Sequence, residues 1–384
     1  MAFELAEHTR LTATARSGPF TFQIGAKAAA LEVLFLRVTD AHQRFRTSPL
    51  SQVANRLEKE VVVSSIFGTN SIEGGTLTEE ETAKAIEQDP ATVKDIERRR
   101  AVNLKTAYDH ALTQSAHKTM QIDLDYIRAV HAHVTNDLPH EYNRPGLIRD
   151  NPKGIVTRVS DAAHGGQYKP PQYGGDIRLL MNNLCAWHEE LRSDGIPALI
   201  RAPLMHYYLE RIHPFWDGNG RVGRVVEAAI LLNDGYRYAP FAQARYYFEH
   251  IDQYFTLFNT CRELEEKHRQ PPNAPFLQFF LEGMLATINK LHDRVNVLVG
   301  MLVFESRLKR ARDEKTLNTR QYAIVSHILE RDQPVSVTDL RRAPWYQALY
   351  EKKTDKTRQR DMRQLRENGW LVLDDNERLR PVIE

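Results

Sequence analysis

The sequence predicts a mainly α-helical protein with one short β-hairpin in its middle and a small mixed unit at its C-terminal end. Three observations lead there. Apolar residues recur at helical spacing through most of the chain. Strand-like alternation is confined to one stretch, Gly154 to Ser160. Composition turns polar from Lys309 to Thr319, and a new set of elements follows. A chain of 384 residues exceeds one compact core. Three regions are expected, at 1–119, 120–308 and 316–384.

Each element has a local reason. Val53, Leu57 and Val61 place a helix over Ser51 to Phe67, expected to stop at Gly68. Thr78 with Glu81 three residues on reads as a capping box, opening a helix that ends near Asp89-Pro90. Asp95 to Leu112 and Leu124 to Val134 continue the helical pattern. From Gly154, Ile155, Thr157 and Val159 alternate with Val156 and Arg158. Gly165-Gly166 then offers the turn of a hairpin or flap. Helices follow over Asp176 to Leu191, Leu199 to Ile212 and Gly220 to Leu232, the last stopped by Asn233-Asp234-Gly235. Pro203 in the second of these is tolerable if that helix starts there. Helices resume through Leu308. Beyond Thr319 the order is Arg320 to Glu330, Ser336 to Arg342 and Thr354 to Asn368 as helices, then Trp370–Leu373 and Leu379–Ile383 as strands. Three helices followed by a two-stranded wing is the order of a winged-helix domain.

Composition narrows the function classes. A formal net charge of +2 creates no global field that would demand nucleic acid or a membrane. Cys185 and Cys261 are too few and too far apart for a disulfide framework or a metal knuckle, and fit a reducing compartment. Met1 to Arg10 carries Glu4, Glu7 and Arg10 where a secretory leader needs an apolar core. The longest apolar stretch, Val295 to Phe304, falls short of the ~20 residues that span a bilayer. A soluble, cytoplasmic protein with no membrane partner is expected.

Chemistry concentrates in His213-Pro214-Phe215-Trp216-Asp217-Gly218-Asn219-Gly220-Arg221-Val222-Gly223-Arg224. Glycines that open a helix let backbone N–H groups converge on an anion, and the helix N-terminus adds partial positive charge. Arg221 and Arg224 in the first turns oppose the macrodipole by roughly 0.3–1 kcal/mol each. That placement makes sense when a multiply charged phosphate lies between them. Asp217 brings a carboxylate that suits Mg²⁺ bridging to phosphate oxygens. His213, at the end of the preceding helix, can take a proton from a hydroxyl nucleophile. His206, seven residues upstream, lacks a third ligand at metal spacing and reads as a packed helix histidine.

This run resembles the signature of the Fic family, His-Pro-Phe-x-Asp/Glu-Gly-Asn-Gly-Arg-x-x-Arg, at every fixed position, and the likeness extends over roughly 120–265. The resemblance implies a Fic-type helical core with a hairpin flap and transfer of AMP from Mg-ATP to a Ser, Thr or Tyr hydroxyl of a protein, itself included. It implies His213 as general base and Asp217 as Mg²⁺ ligand. Gly218, Asn219 and Gly220 would form the anion loop, with Arg221 and Arg224 on the ATP phosphates. Thr69, Glu73 and Gly74 match the family's inhibitory pattern Ser/Thr-x-x-x-Glu-Gly/Asn, in which the glutamate pairs with the second motif arginine, here Arg224. Ile155, Val156 and Thr157 correspond to the flap, where a target segment could add a strand. Among the aromatics from Tyr246 to Phe258, Tyr254 is the candidate for the adenine side.

Other readings stand beside this one. Removal of AMP, with Glu73 orienting a water, and transfer of another phosphate-containing group share the same motif. A different class is a nucleotide-sensing DNA-binding regulator, which an intact His213 argues against. In the C-terminal region, Lys356, Arg358, Arg360, Arg363 and Arg366 surround Met362 and Leu365, the pattern of a DNA-reading third helix. Asp355, Asp361 and Glu367 dilute that charge, and such a domain also serves docking or homodimer formation.

Overall fold

The computed structural model describes residues 8–117, 119–269, 271–331 and 333–383. Glu4 and Glu7 fall outside them. The chain divides into two compact units, one built from the chain up to Ser48 with Asn55–Leu291, the other from Pro49–Ala54 with His292 onward. The expected division near residue 120 is thus absent between units: helices from both sides of it share one core.

The first unit opens with a hairpin that the helical reading missed. β1 (Thr9–Ala13) and β2 (Pro19–Gln23) pair antiparallel, with Thr9 opposite Gln23 and Ala13 opposite Pro19. Phe20 and Phe22 alternate inward, against Tyr208 and, for Phe22, Trp187. Then come α1 (Ala28–Thr47) and α2 (Ala54–Ile72). α2 does not stop at Gly68. A Cβ there would sit 2.9 Å from the Ala244 carbonyl oxygen, so this glycine serves close packing, and the helix runs a further turn. α3 (Glu79–Ala85) has the full capping box of Thr78 and Glu81. Asp95 and Asp123 cap α4 (Ile96–Ser115) and α5 (Leu124–Thr135) by accepting from Arg98 and Tyr126 backbone N–H groups.

α6 (Gly174–Ser193), α7 (Ala198–Ile212) and α8 (Asn219–Asn233) follow, then α9 (Ala239–Glu249), α10 (Ile251–Glu266) and α11 (Ala274–Asp313). α7 and α8 form the centre: they pack on each other, α6 covers α7, and α4 and α5 cover α8. α7 starts at Ala198, so Pro203 lies in its interior rather than at its start. Its ring is buried, and the Leu199 carbonyl lacks the usual helical donor. Cys185 and Cys261 are buried, and burial pushes both thiols up to about 12.

The second unit contains α12 (Thr319–Arg331), β3 (Val335–Ser336), α13 (Val337–Arg342), α14 (Pro344–Leu349), α15 (Asp355–Glu367), β4 (Leu371–Leu373) and β5 (Arg378–Pro381). The expected hairpin is present, but β3 joins it to make a sheet ordered β3-β5-β4. α14, opened by Pro344, is a further addition to the expected helices. Ile324, Ile328, Leu340, Leu365, Leu371 and Leu379 make the core. No described helix is long and apolar enough to cross a membrane.

Candidate active site

The site forms where α7 ends and α8 begins. His213 adopts a left-handed conformation, φ 52°, which terminates α7 and turns the chain. A non-glycine residue there costs roughly 1–2 kcal/mol, so the surroundings must hold it. Arg149 does this. Its Nε donates to the His213 carbonyl at 2.6 Å, its backbone N–H to the Pro214 carbonyl at 2.9 Å, and Nη2 to the Pro171 carbonyl at 2.5 Å. Arg149 is 1% exposed, and burial lowers its pKa to about 10, still far above neutrality. The side chain of Asn219 locks the next turn by accepting from the Phe215 N–H and donating to the Phe215 carbonyl, both at 2.9 Å. Its amide is therefore spent on the loop, leaving only its backbone to serve an anion.

Gly218, φ 82°, is the N-cap of α8. The N–H groups of Asn219, Gly220 and Arg221 have no intrahelical acceptor by their position. Asp217 accepts from the Gly218 N–H and from Arg221 Nη2, each at 2.7 Å. Burial works to raise the Asp217 pKa, yet Arg221 and the Gly218 N–H outweigh it and hold the carboxyl below its usual range. Arg221 is fully buried, and its Nε and Nη1 have no protein partner; neither does Nε of Arg224. Buried donors without acceptors are costly, on the order of 1–3 kcal/mol each, which suits a site built for an anion.

Glu73 follows the last turn of α2, whose end is shaped by Gly74 at φ 78°. Glu73 Oε1 accepts from Arg224 Nη2 at 2.6 Å, and the Thr69 carbonyl accepts from the same nitrogen at 3.3 Å. Burial would lower the Arg224 pKa, but Tyr254 and Glu73 raise it on balance, so the cation is firmly held. Gly220 makes room for this pair: a Cβ there would lie 2.3 Å from Glu73 Oε1. Thr69 itself turns its hydroxyl to Tyr108, 3.2 Å away.

A cavity of about 410 Å³ unites the parts. Glu73, His213, Asp217, Gly218, Asn219, Gly220, Arg224 and Tyr254 line it, with Ser160 and His164 from the flap side and Phe255 and Phe258 from α10. The volume falls in the ordinary range for small-ligand sites. Tyr254 is only 1% exposed, and its hydroxyl is occupied by Arg224 at 3.2 Å and His206 at 3.0 Å. Among the described residues no group of three or more His, Cys, Asp or Glu could hold a metal ion. Asp217 offers one carboxylate edge, which fits Mg²⁺ that takes its other ligands from phosphate and water.

The flap departs from the expected hairpin. Its backbone forms a single bridge, Val159 with Tyr168, and no named strand. Lys169 is followed by Pro170 and Pro171, which have no N–H to extend a ladder. Gln172 substitutes for the missing strand. Its carboxamide accepts from the Thr157 N–H at 2.8 Å and donates to the Thr157 carbonyl at 3.1 Å. Ile155 and Val156 remain 38% and 48% exposed.

Sequence reasoning missed three supporting residues. Arg149 carries no motif. Glu210, partly buried beside His213, has Oε2 3.6 Å from Nδ1 of the imidazole; desolvation raises its pKa, but His213 brings the net shift downward. His131 stacks on Phe215 with ring centres 3.7 Å apart and has Nε2 3.1 Å from the Asp217 carbonyl. Its i+4 relation to Thr135 on α5 gave no hint of that reach.

The fold and the site together define a helical protein whose central helix pair presents an anion loop, a histidine and a buried arginine to one cavity. Residues 121–231 match the model of the Fic/DOC family. The chain is similar to the protein adenylyltransferase Fic of Drosophila ananassae, 29% identical over 191 residues, which are 48% of this chain and 35% of that protein. The like-named protein of Aedes aegypti is 28% identical over 191 residues, 49% of this chain and 36% of that protein. The chain thus spans about a third of the length of these relatives. The fold is shared with a Fic family protein from Desulfovibrio desulfuricans, TM-score 0.56 at 19% identity over 92% of this chain and 95% of that one. It is also shared with residues 134–508 of Fic-1 from C. elegans, TM-score 0.51 at 21% identity, covering 69% of this chain and 72% of that one.

Proposed function

We propose that this protein is an adenylyltransferase that moves AMP from Mg-ATP to a Ser, Thr or Tyr hydroxyl of a protein, restrained by its own Glu73. The observation that carries the reading is the convergence on one cavity of an imidazole, a depressed carboxylate, an open helix start and the buried Arg224, with Arg221 buried behind Asp217 and nitrogens unpartnered on both arginines. Each meets a separate demand of phosphoryl chemistry. The helix start and Arg221 take phosphate oxygens, and Arg224, once released, takes the terminal phosphate. Mg²⁺ at Asp217 would neutralise charge on the departing phosphates. His213 accepts the proton as the hydroxyl oxygen bonds to the α-phosphorus. The bond from that phosphorus to the bridging oxygen breaks, and pyrophosphate leaves. Residues Ile155 to Thr157 present the target, with Thr157 held by Gln172.

Incubation with ATP and Mg²⁺ followed by mass spectrometry of the chain tests this. AMP should appear on a hydroxyl side chain in the Glu73→Gly variant and be absent when His213→Ala is added. Equal incorporation in both would remove His213 from the chemistry.

The C-terminal unit supports a second, separate reading as a duplex-DNA contact. Lys356, Arg360 and Arg363 share one exposed face of α15. Asp361 does not dilute that charge: it is fully buried and accepts from Arg320 at 2.9 Å and Tyr350 at 3.1 Å.

A further inference from the structure

We propose that Tyr254 is a positioning residue for Arg224, itself set by a buried pair of His206 and Glu227, and that this chain aims one guanidinium nitrogen at the terminal phosphate of a nucleoside triphosphate. The proposal rests on reading Arg224 as a phosphate ligand. The directions of its hydrogen bonds are forced one after another. A guanidinium only donates, so in the 3.2 Å contact with Arg224 Nη1 the Tyr254 oxygen accepts. The proton of Tyr254 is then left for His206 Nε2, 3.0 Å away. That makes Nε2 the acceptor and places the ring proton on Nδ1, which donates to Glu227 Oε2 at 2.8 Å. Glu227 is held in turn by the Tyr247 hydroxyl, at 2.9 and 3.0 Å.

Every member is buried: His206 and Tyr247 at 0%, Tyr254 at 1% and Glu227 at 3% exposure. Burial pushes the Tyr254 phenol well up, so its hydroxyl keeps the proton the chain requires. Gly223 makes the path, because a Cβ there would lie 2.6 Å from His206 Cδ2. A carboxylate and an imidazole in a core are expensive to desolvate, and apolar side chains would fill the same space at lower cost. This chain reaches the cavity at Tyr254 and Arg224.

The two side-chain partners of Arg224 therefore differ in kind. Tyr254 is a fixed partner on Nη1. Glu73, at the end of α2 and with a quarter of its side chain exposed, is an exchangeable partner on Nη2. A phosphate oxygen can replace the carboxylate on Nη2 while Nη1 stays where Tyr254 holds it. The chain should then matter for the terminal phosphate and little for the rest of the nucleotide.

Calorimetry with Mg-ATP and Mg-ADP on the Glu73→Gly/His213→Ala protein, which cannot turn over, provides the test. This parent should bind ATP more tightly than ADP. Adding Tyr254→Phe should shrink that preference by about tenfold, with ADP affinity nearly unchanged and the melting temperature monitored for fold. An unchanged preference, or equal weakening of both nucleotides, overturns the proposal. A parent that binds ATP and ADP alike overturns both the proposal and the phosphate reading of Arg224 beneath it. A variant-free check uses ¹⁵N-histidine NMR of the full chain: His206 should carry its proton on Nδ1. A proton on Nε2 would contradict the chain whatever the variant does.

Discussion

At the scale of single residues, the proposed function gives His213 the chemistry, while His131 supports the turn through the Asp217 carbonyl. His213→Ala should lower AMP transfer by about 10²–10⁴-fold while ATP affinity holds, since the phosphate donors lie elsewhere. Comparing single-turnover label transfer with nucleotide titration separates the two effects. His131 makes a different prediction. Its Nδ1 accepts from the Gly146 N–H at 2.9 Å, which leaves Nε2 to donate to the Asp217 carbonyl. Only the neutral ring satisfies both, and burial lowers its pKa from 6.5 to about 4 despite the pull of Asp217. The unfolded chain then binds a proton that the folded one refuses between pH 6.5 and 4. Stability should fall with pH across that window, by up to about 3 kcal/mol from this residue, and level off below it. Denaturant melts of His131→Gln should start lower at pH 7 yet show a shallower decline; the wild-type slope would contradict this. His213, Asp217 and both arginines were legible in the sequence because they fall within twelve consecutive positions. Arg149 and Glu210 stayed hidden because their roles depend on distant backbone and on burial, which spacing does not encode.

Helices and loops show where local pattern was outweighed by tertiary contact. Most helices of the first unit were legible from apolar spacing and caps, as at Thr78, Asp95 and Asp123. α2 was misjudged because a glycine has two uses, ending a helix or letting another backbone approach, and at Gly68 the second prevails. Gly68→Ala should therefore destabilise the fold by about 1–3 kcal/mol, even though alanine favours helix, because the added methyl meets the α9 backbone. A gain in melting temperature would show that α9 yields without strain. The flap was misjudged for a complementary reason. Alternation from Ile155 to Val159 was real, but its partner limb ends in two prolines, and a glutamine side chain stands in for a strand. Gln172→Ala should raise KM for a protein target with ATP affinity unchanged, measurable once a target is in hand or by the concentration dependence of self-modification.

For the whole molecule, the chain divides into two units, and the charge of the second makes a prediction independent of the first. Lys356→Glu with Arg360→Glu should abolish any salt-sensitive retention of the full chain on duplex DNA and leave self-modification intact. Retention that survives this change would place the contact elsewhere. The central claim lies in the first unit, where α2 delivers a carboxylate to an arginine of α8 across 151 residues of sequence. The two N–H groups of Arg224 Nη2 are taken by Glu73 and the Thr69 carbonyl, so a phosphate oxygen must displace the carboxylate, and the carboxylate is tethered. The most direct measurement is the rate of AMP incorporation from α-labelled ATP into wild type, Glu73→Gly, Arg224→Ala and the double variant, across a range of ATP concentrations. Glu73→Gly should rise above wild type, Arg224→Ala should not, and the double variant should match Arg224→Ala. A Glu73→Gly rate equal to wild type at every ATP concentration would contradict the account.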